Sequence, residues 1–251
     1  MSTALVPAVA PVFAIDAGNT RVKWGLNVGG EWVVRGAIAT ADAERLGRDW
    51  PPMPPGTIAR ASNVGGPTLK SLVYEACARH DLLLSLIASL PAQLGVRSGY
   101  RDPAQLGTDR WASLVAAHAD RPCHQLVVNV GTALTVDALR ADGLFPGGLI
   151  VPGPALMRRS LGGGTAQLKL TEGAFAPFPA STPDAITSGA LQAAGGAIDR
   201  MAGEMARDGG APERIVLTGG GAAELASRLS LPVRMNDNLV LDGIALIARH
   251  A

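Results

Sequence analysis

Two stretches of this chain repeat one pattern, and a repeat of that kind restricts the architecture more than composition can. Val12 to Leu26 reads V-F-A-I-D-A-G-N-T-R-V-K-W-G-L: an apolar strand runs into Asp16, Gly18, Asn19 and Thr20, and a second strand leaves through Val22 and Trp24. Leu126 to Leu139 reads L-V-V-N-V-G-T-A-L-T-V-D-A-L, with Asn129, Gly131 and Thr132 in the places of Asp16, Gly18 and Asn19. Each copy predicts a β-hairpin with an Asx-x-Gly tip, followed by a third apolar stretch, Trp32 to Ile38 in one and Leu144 to Val151 in the other. Two like α/β halves facing each other make a cleft, and the expected division is 1–120 and 121–251.

The chemistry of the first tip points to phosphate. A carboxylate at the end of a buried strand, followed by glycine, stands where a metal ion and a phosphate could both reach it. Gly18 is expected to turn with φ > 0 and to let a phosphate approach backbone N–H groups. Asn19 and Thr20 add hydrogen-bonding groups and Lys23 a positive charge. An ordinary Asp- and Gly-rich turn reads the same way in isolation; the second copy is what favours a site.

At 251 residues the chain is long enough for two domains with a core each. Hydrophobic residues make up 47% and charged residues 17%, a compact composition, and the net charge of +1 argues against nucleic acid or an anionic membrane as partner. Cys77 and Cys123 form neither a C-x-x-C pair nor a set with His at ligand spacing, which disfavours zinc and a disulfide framework. Met1 to Ile15 is apolar, but it lacks a basic start, carries Pro7 and Pro11, and runs straight into the Asp16 strand, so it reads as fold rather than leader. No stretch approaches a membrane span. The expectation is a cytoplasmic protein handling small dissolved ligands.

Between the repeats, Ala41 to Asp49 reads as a helix, Trp50 to Gly56 (W-P-P-M-P-P-G) as a stiff link, Thr57 to Ser62 as a strand, Leu69 to Ala76 as a helix and Leu82 to Ile87 as a strand. Gly107 and Thr108 lead into a helix containing Trp111, Leu114 and Val115. With Thr108 as its N-cap, Asp109 and Arg110 fall in the first turn. Asp109 suits that position by the helix dipole, whereas a cation does not, and an anionic ligand would account for Arg110. Further on, Arg158 and Arg159 lie in a short helix, Gly162, Gly163 and Gly164 read as a mobile link, and Pro183 to Arg207 as a long helix rich in small residues. Ile215 to Thr218 is a strand entering Gly219, Gly220 and Gly221, a third glycine-tipped strand.

Taken together, Asp16-x-Gly18-Asn19-Thr20, Gly107-x-Asp109-Arg110, Gly131-Thr132-Ala133 and Thr218-Gly219-Gly220, in this order and over essentially the whole chain, resemble the type III pantothenate kinases. The resemblance implies the actin, sugar-kinase and Hsp70-like fold, two ribonuclease-H-like domains around a nucleotide cleft, as a homodimer. It implies transfer of the ATP γ-phosphoryl group to the primary hydroxyl of pantothenate, the first step toward coenzyme A. By resemblance, Asp16, Ala17, Gly18, Asn19, Thr20, Arg21, Val22 and Lys23 form the first nucleotide and metal loop, with Mg²⁺ held at Asp16 through phosphate or water. Thr132 belongs to the second loop, and Gly219 and Gly220 to the adenosine side. Tyr100, Gly107, Thr108, Asp109, Arg110 and Thr182 match pantothenate-binding positions, and Asp109 matches the general base.

Many relatives have Asp where this chain has Asn129, and that carboxylate helps hold a monovalent cation, potassium or ammonium; Asn keeps the oxygen and loses the charge. A non-catalytic nucleotide-binding regulator of the same fold is the alternative reading. It predicts loss of the base, yet Asp109 is present.

Overall fold

A computed structural model describes residues 10–164 and 173–250; the part of the N-terminal reading that falls on Met1 to Val9 lies outside the described residues. The chain packs as two units, one of Met1–Leu94, Arg101–Ala116 and Leu239–Ala251, the other of Gly95–Tyr100 and Ala117–Asn238.

The first unit opens with β1 (Val12–Ala17), β2 (Arg21–Val28) and β3 (Glu31–Ala39), an antiparallel meander. Gly29 and Gly30, both at positive φ, make the tight turn between β2 and β3. A 3-10 turn, Thr40–Arg45, stands where the sequence reads a helix to Asp49; Gly47 at φ +91 stops it. After the proline-rich link come β4 (Ile58–Asn63), α1 (Gly66–Ala78), β5 (Leu84–Leu86) and the two-residue β6 (Ala92–Gln93). The sheet order is β3-β2-β1-β4-β5, with β4 parallel to β1 and β5 parallel to β4. One face carries Phe13, Ile15, Trp24 and Leu26, packed with Leu46, Trp50, Leu69 and Val73 into a core that includes buried Cys77, whose thiol burial pushes up to about 12.

The chain then passes through β7 (Val96–Ser98) into α2 (Thr108–Asp120), whose residues to Ala116 belong to the first unit. The second unit holds β8 (Gln125–Val130), β9 (Ala133–Leu139), β10 (Leu144–Phe145), β11 (Gly147–Pro152), α3 (Pro154–Gly164), α4 (Thr182–Arg207), β12 (Arg214–Thr218), α5 (Ala222–Ala226) and β13 (Val233–Met235). Its sheet runs β11-β9-β8-β12-β13. Strand for strand, this is the first sheet again: an antiparallel meander on one side and two parallel strands on the other. The single stretch expected over Leu144 to Val151 is two strands, because Pro146 has no N–H to continue a ladder; Leu144–Phe145 pairs with β7 and Gly147–Pro152 with β9. Gly162 to Gly164, expected as a mobile link, continue α3. Glycine costs helix stability, on the order of 1 kcal/mol each, without forbidding the conformation.

The C-terminal α6 (Leu239–Arg249) returns to the first unit and lies across β1, β2 and β4. Trp32 Nε1 donates to Asp242 Oδ1 at 2.7 Å, and the Arg249 guanidinium bonds the Asn27 side chain. A Cβ on Gly243 would fall 1.9 Å from the Ala112 carbonyl oxygen, so the backbones of α6 and α2 touch there. No helix among the described residues is long and apolar enough to cross a membrane.

Candidate active site

Sheet register brings three polar side chains into one row in the first unit. Asp16 pairs with Lys23 across β1 and β2 and with Ser62 across β1 and β4, and laterally paired residues point to one face. The row lies on the face opposite the Phe13, Ile15 and Trp24 core, at the carboxyl ends of the parallel strands β1 and β4. In open α/β sheets that end is where ligands bind.

The tip next to this row is held by its own backbone and by Thr40. Gly18 N donates to the Arg21 carbonyl at 3.1 Å; Thr40 Oγ1 donates to the Gly18 carbonyl at 2.8 Å and Thr40 N to the Thr20 carbonyl at 2.9 Å. Gly18 does not adopt positive φ as expected. Its restriction is crowding, since a Cβ would stand 3.1 Å from the Arg21 carbonyl oxygen. Ala17 and Val22 are fully buried, backbone included, whereas Asn19, Thr20 and Arg21 are exposed at the tip.

Asp109 and Arg110 open α2 in the same unit. Gly107, rather than Thr108, is the cap residue: its carbonyl accepts the first helical bond, from Trp111 N at 3.0 Å. The Thr108 hydroxyl is engaged elsewhere, with Ser62 Oγ at 2.8 Å. Asp109 Oδ1 accepts from Arg110 N at 2.8 Å and folds back over Gly107, where a Cβ would sit 2.6 Å from it. Glycine at 107 leaves room for the carboxylate.

The two carboxyls share one electrostatic neighbourhood. Burial first, then the charge of Asp109, pushes Asp16 up to about 7, against the opposing charge of Lys23. Burial also raises Asp109, against the Arg110 backbone N–H and guanidinium. Arg110 itself is 6% exposed. A buried carboxyl raised further by the charge of a neighbouring Asp fits a divalent cation, which would relieve that repulsion. Among the described residues no three His, Cys, Asp or Glu side chains converge, so a protein-only metal cage is not the arrangement. One carboxylate completed by phosphate oxygens and water is the donor set that suits Mg²⁺.

The second unit repeats the row with different chemistry. Asn129 pairs with Thr135 and with Thr218, in the positions of Asp16, Lys23 and Ser62. Gly131 N donates to the Ala133 carbonyl at 3.0 Å and Gly221 N to the Val130 carbonyl at 3.0 Å, while Thr132 is exposed at the tip. Gly219, at φ +99, would place a Cβ 2.5 Å from Asn129 Oδ1 and 2.6 Å from the Val130 carbonyl oxygen. The Asn129 tip and the Gly219 turn are therefore one packed structure. Tyr100 and Thr182 also lie in this unit, Tyr100 against Phe145 with ring centroids 5.4 Å apart and Thr182 exposed at the start of α4.

The structure thus groups Asp16 to Lys23 with Gly107 to Arg110 in one unit, and Asn129, Thr132, Gly219 and Gly220 in the other. Ser62, Thr40 and Gly153 were not singled out from sequence. A Cβ on Gly153 would fall 2.1 Å from the Gly131 carbonyl oxygen. A Ser or Thr adjoining a β-strand is too common a pattern to single out either hydroxyl.

Two sheets of one strand order, each with an Asx-tipped hairpin, define the duplicated α/β architecture of the actin and sugar-kinase class. The family model described as type III pantothenate kinase matches residues 12–204. A type III pantothenate kinase of Nitrosospira multiformis is 43% identical over 239 residues, covering 95% of this chain and 91% of that one. Among solved structures, a conserved Campylobacter jejuni protein assigned to the Baf family of transcriptional activators matches with a TM-score of 0.59 at 18% identity, over 95% of this chain and 98% of that one. A Listeria monocytogenes protein assigned as an N-acetylmannosamine kinase matches with a TM-score of 0.53 at 12% identity, over 96% and 99%. At those identities the two structures establish the fold alone. The chain belongs to the type III pantothenate kinase family.

Proposed function

We propose that this chain phosphorylates pantothenate with ATP, Asp109 acting as the base and Asp16 holding the metal-bound phosphates. The pantothenate hydroxyl oxygen attacks the γ-phosphorus, the bond from that phosphorus to the β,γ-bridging oxygen breaks, and ADP leaves. The hydroxyl proton passes to the Asp109 carboxylate. Mg²⁺, when bound, would neutralise phosphate charge. Arg110 orients the acidic substrate, and the Asp16 to Lys23 and Thr132 tips present backbone N–H groups to phosphate. Gly219 and Gly220 border adenosine, and Tyr100 and Thr182 belong to the pantothenate side by their match to the family motifs.

The observation that carries this reading is the placement of Asp109 at the start of α2, where the preceding Thr108 bonds Ser62, the sheet neighbour of Asp16, in one unit. A carboxyl raised above the ordinary range is a better proton acceptor near neutral pH. The regulator alternative has no comparable support, since it would dispense with the base. The duplicated domains 1–120 and 121–251 are proposed on the matching strand orders, although α6 packs with the first unit and Gly95–Tyr100 and the end of α2 with the second; a homodimer in the cytoplasm is proposed on family membership. The test is ATP consumption with and without pantothenate: pantothenate-dependent ADP release supports the reading, and its absence in a protein that binds ATP favours the regulator.

A further inference from the structure

The Ser62 hydroxyl is fully buried at the end of β4, beside Asp16 in the sheet, and its bond at 2.8 Å goes to the hydroxyl of Thr108, the first residue of α2. Asp109 follows directly. The bond therefore joins the strand next to Asp16 to the helix start that carries Asp109. Four residues further along α2, the Ala112 backbone meets Gly243 of α6, which also lies against β4. In the second sheet the position equivalent to Ser62 is Thr218, also buried, so a hydroxyl at this strand end occurs in both halves.

We propose that Ser62 is a positioning residue for phosphoryl transfer: through Thr108 it sets where Asp109 stands relative to the Asp16 tip. The proposal rests on Asp109 being the base. Placement within a few tenths of an ångström matters because proton acceptance in the transition state depends on a near-attack geometry. Ser62 itself touches no reacting atom. Its loss acts on kcat, while ATP binding at the tip, held by Gly18, Arg21 and Thr40, stays as it was.

The experiment is a double-mutant cycle of Ser62→Ala and Thr108→Val, read by steady-state kinetics with both substrates and by thermal melting, with Ser62→Thr as the conservative variant. Thr at this strand position is the residue the second sheet already uses. The expected result is a fall in kcat of about tenfold in Ser62→Ala with KM for ATP within about twofold, recovery in Ser62→Thr, and a double variant no slower than Thr108→Val alone. A kcat within about twofold of the unsubstituted protein, or losses that multiply in the double variant, overturns the proposal. If Ser62→Ala does not fold, Ser62→Cys, whose thiol fills the space with a weaker bond, takes its place under the same criteria. Pantothenate-independent behaviour of the unsubstituted enzyme would instead sink the functional reading on which the inference stands.

Discussion

The charge of Asp109 makes Asp16 harder to ionise, which ties a residue at the start of α2 to one at the end of β1 across most of the first unit's sequence. Both carboxyls lie above their ordinary range, burial being the larger cause in each. A site with this electrostatic deficit is prepared for positive charge from outside the chain. The reacting groups it serves, a hydroxyl to be deprotonated and a phosphate chain to be neutralised, need such a pair.

Asp109→Asn is expected to fold and to bind both substrates while turnover falls by roughly 10²–10⁴-fold, the usual contribution of a positioned base. Rapid-quench turnover alongside binding measurements checks this. Near-normal turnover would remove Asp109 from the role. Gly107→Ala offers a gentler version. The new methyl would displace the Asp109 carboxylate, 2.6 Å away, and kcat is expected to drop with little change in melting temperature, because the obstructed atom is the end of a side chain rather than backbone.

For Asp16 the sign of the pH effect follows from linkage. Its carboxyl titrates near 3.8 unfolded and about 7 folded, so between those values the folded protein holds a proton that the unfolded chain has released. This contribution to stability falls as pH rises from about 4 to about 7 and is level above that. The ligand-free protein should therefore melt lower at pH 8 than at pH 5, and Asp16→Asn should flatten that slope. Scanning fluorimetry across the range decides it; an unchanged slope in Asp16→Asn would place the titration elsewhere. In titration calorimetry Asp16→Ala is expected to lose Mg²⁺-dependent ATP binding far more than pantothenate binding.

Thr40→Val keeps the side-chain volume and removes the Oγ1 donation to the Gly18 carbonyl. A hydrogen bond of this kind contributes about 1 kcal/mol, so a roughly fivefold rise in KM for ATP is expected, with KM for pantothenate unchanged. A rise confined to pantothenate would mean that the tip does not serve the nucleotide.

The hairpins were legible because strand periodicity, an Asx and a glycine coincide within a few residues, and repetition multiplied the signal. Long-range partners were not. Thr108 reads as an N-cap by residue type, but a buried hydroxyl 46 positions away in sequence takes its side chain. No local pattern encodes that pairing. The helix at Leu239–Arg249 is buried along most of its length, and its two charged residues, Asp242 and Arg249, lie seven apart on one face and meet Trp32 and Asn27, partners more than 200 positions away that no local pattern names. Gly162 to Gly164 read as a link because glycine disfavours helix, yet they continue α3, since propensity is a weak prior.

Asn129 carries the last prediction. It occupies in the second sheet the place of Asp16 in the first, and its Oδ1 lies against Gly219, next to the Val130 carbonyl. A carboxylate there would attract a monovalent cation more strongly than a neutral amide oxygen can, by an amount that grows as solvent is excluded. With the charge absent, kinase activity at constant ionic strength is expected to discriminate weakly among potassium, ammonium and sodium, and Asn129→Asp should gain dependence on potassium. The competing arrangement is a site completed by carbonyl oxygens, of which Val130 is one candidate, with Asn129 merely supplying another neutral oxygen. Steady-state assays in the three chlorides separate the two. Collapse of activity when sodium replaces potassium in the unsubstituted protein would show that carbonyls suffice and that the side chain's charge at 129 is immaterial. Weak discrimination that sharpens only in Asn129→Asp would assign the selectivity to that one carboxylate.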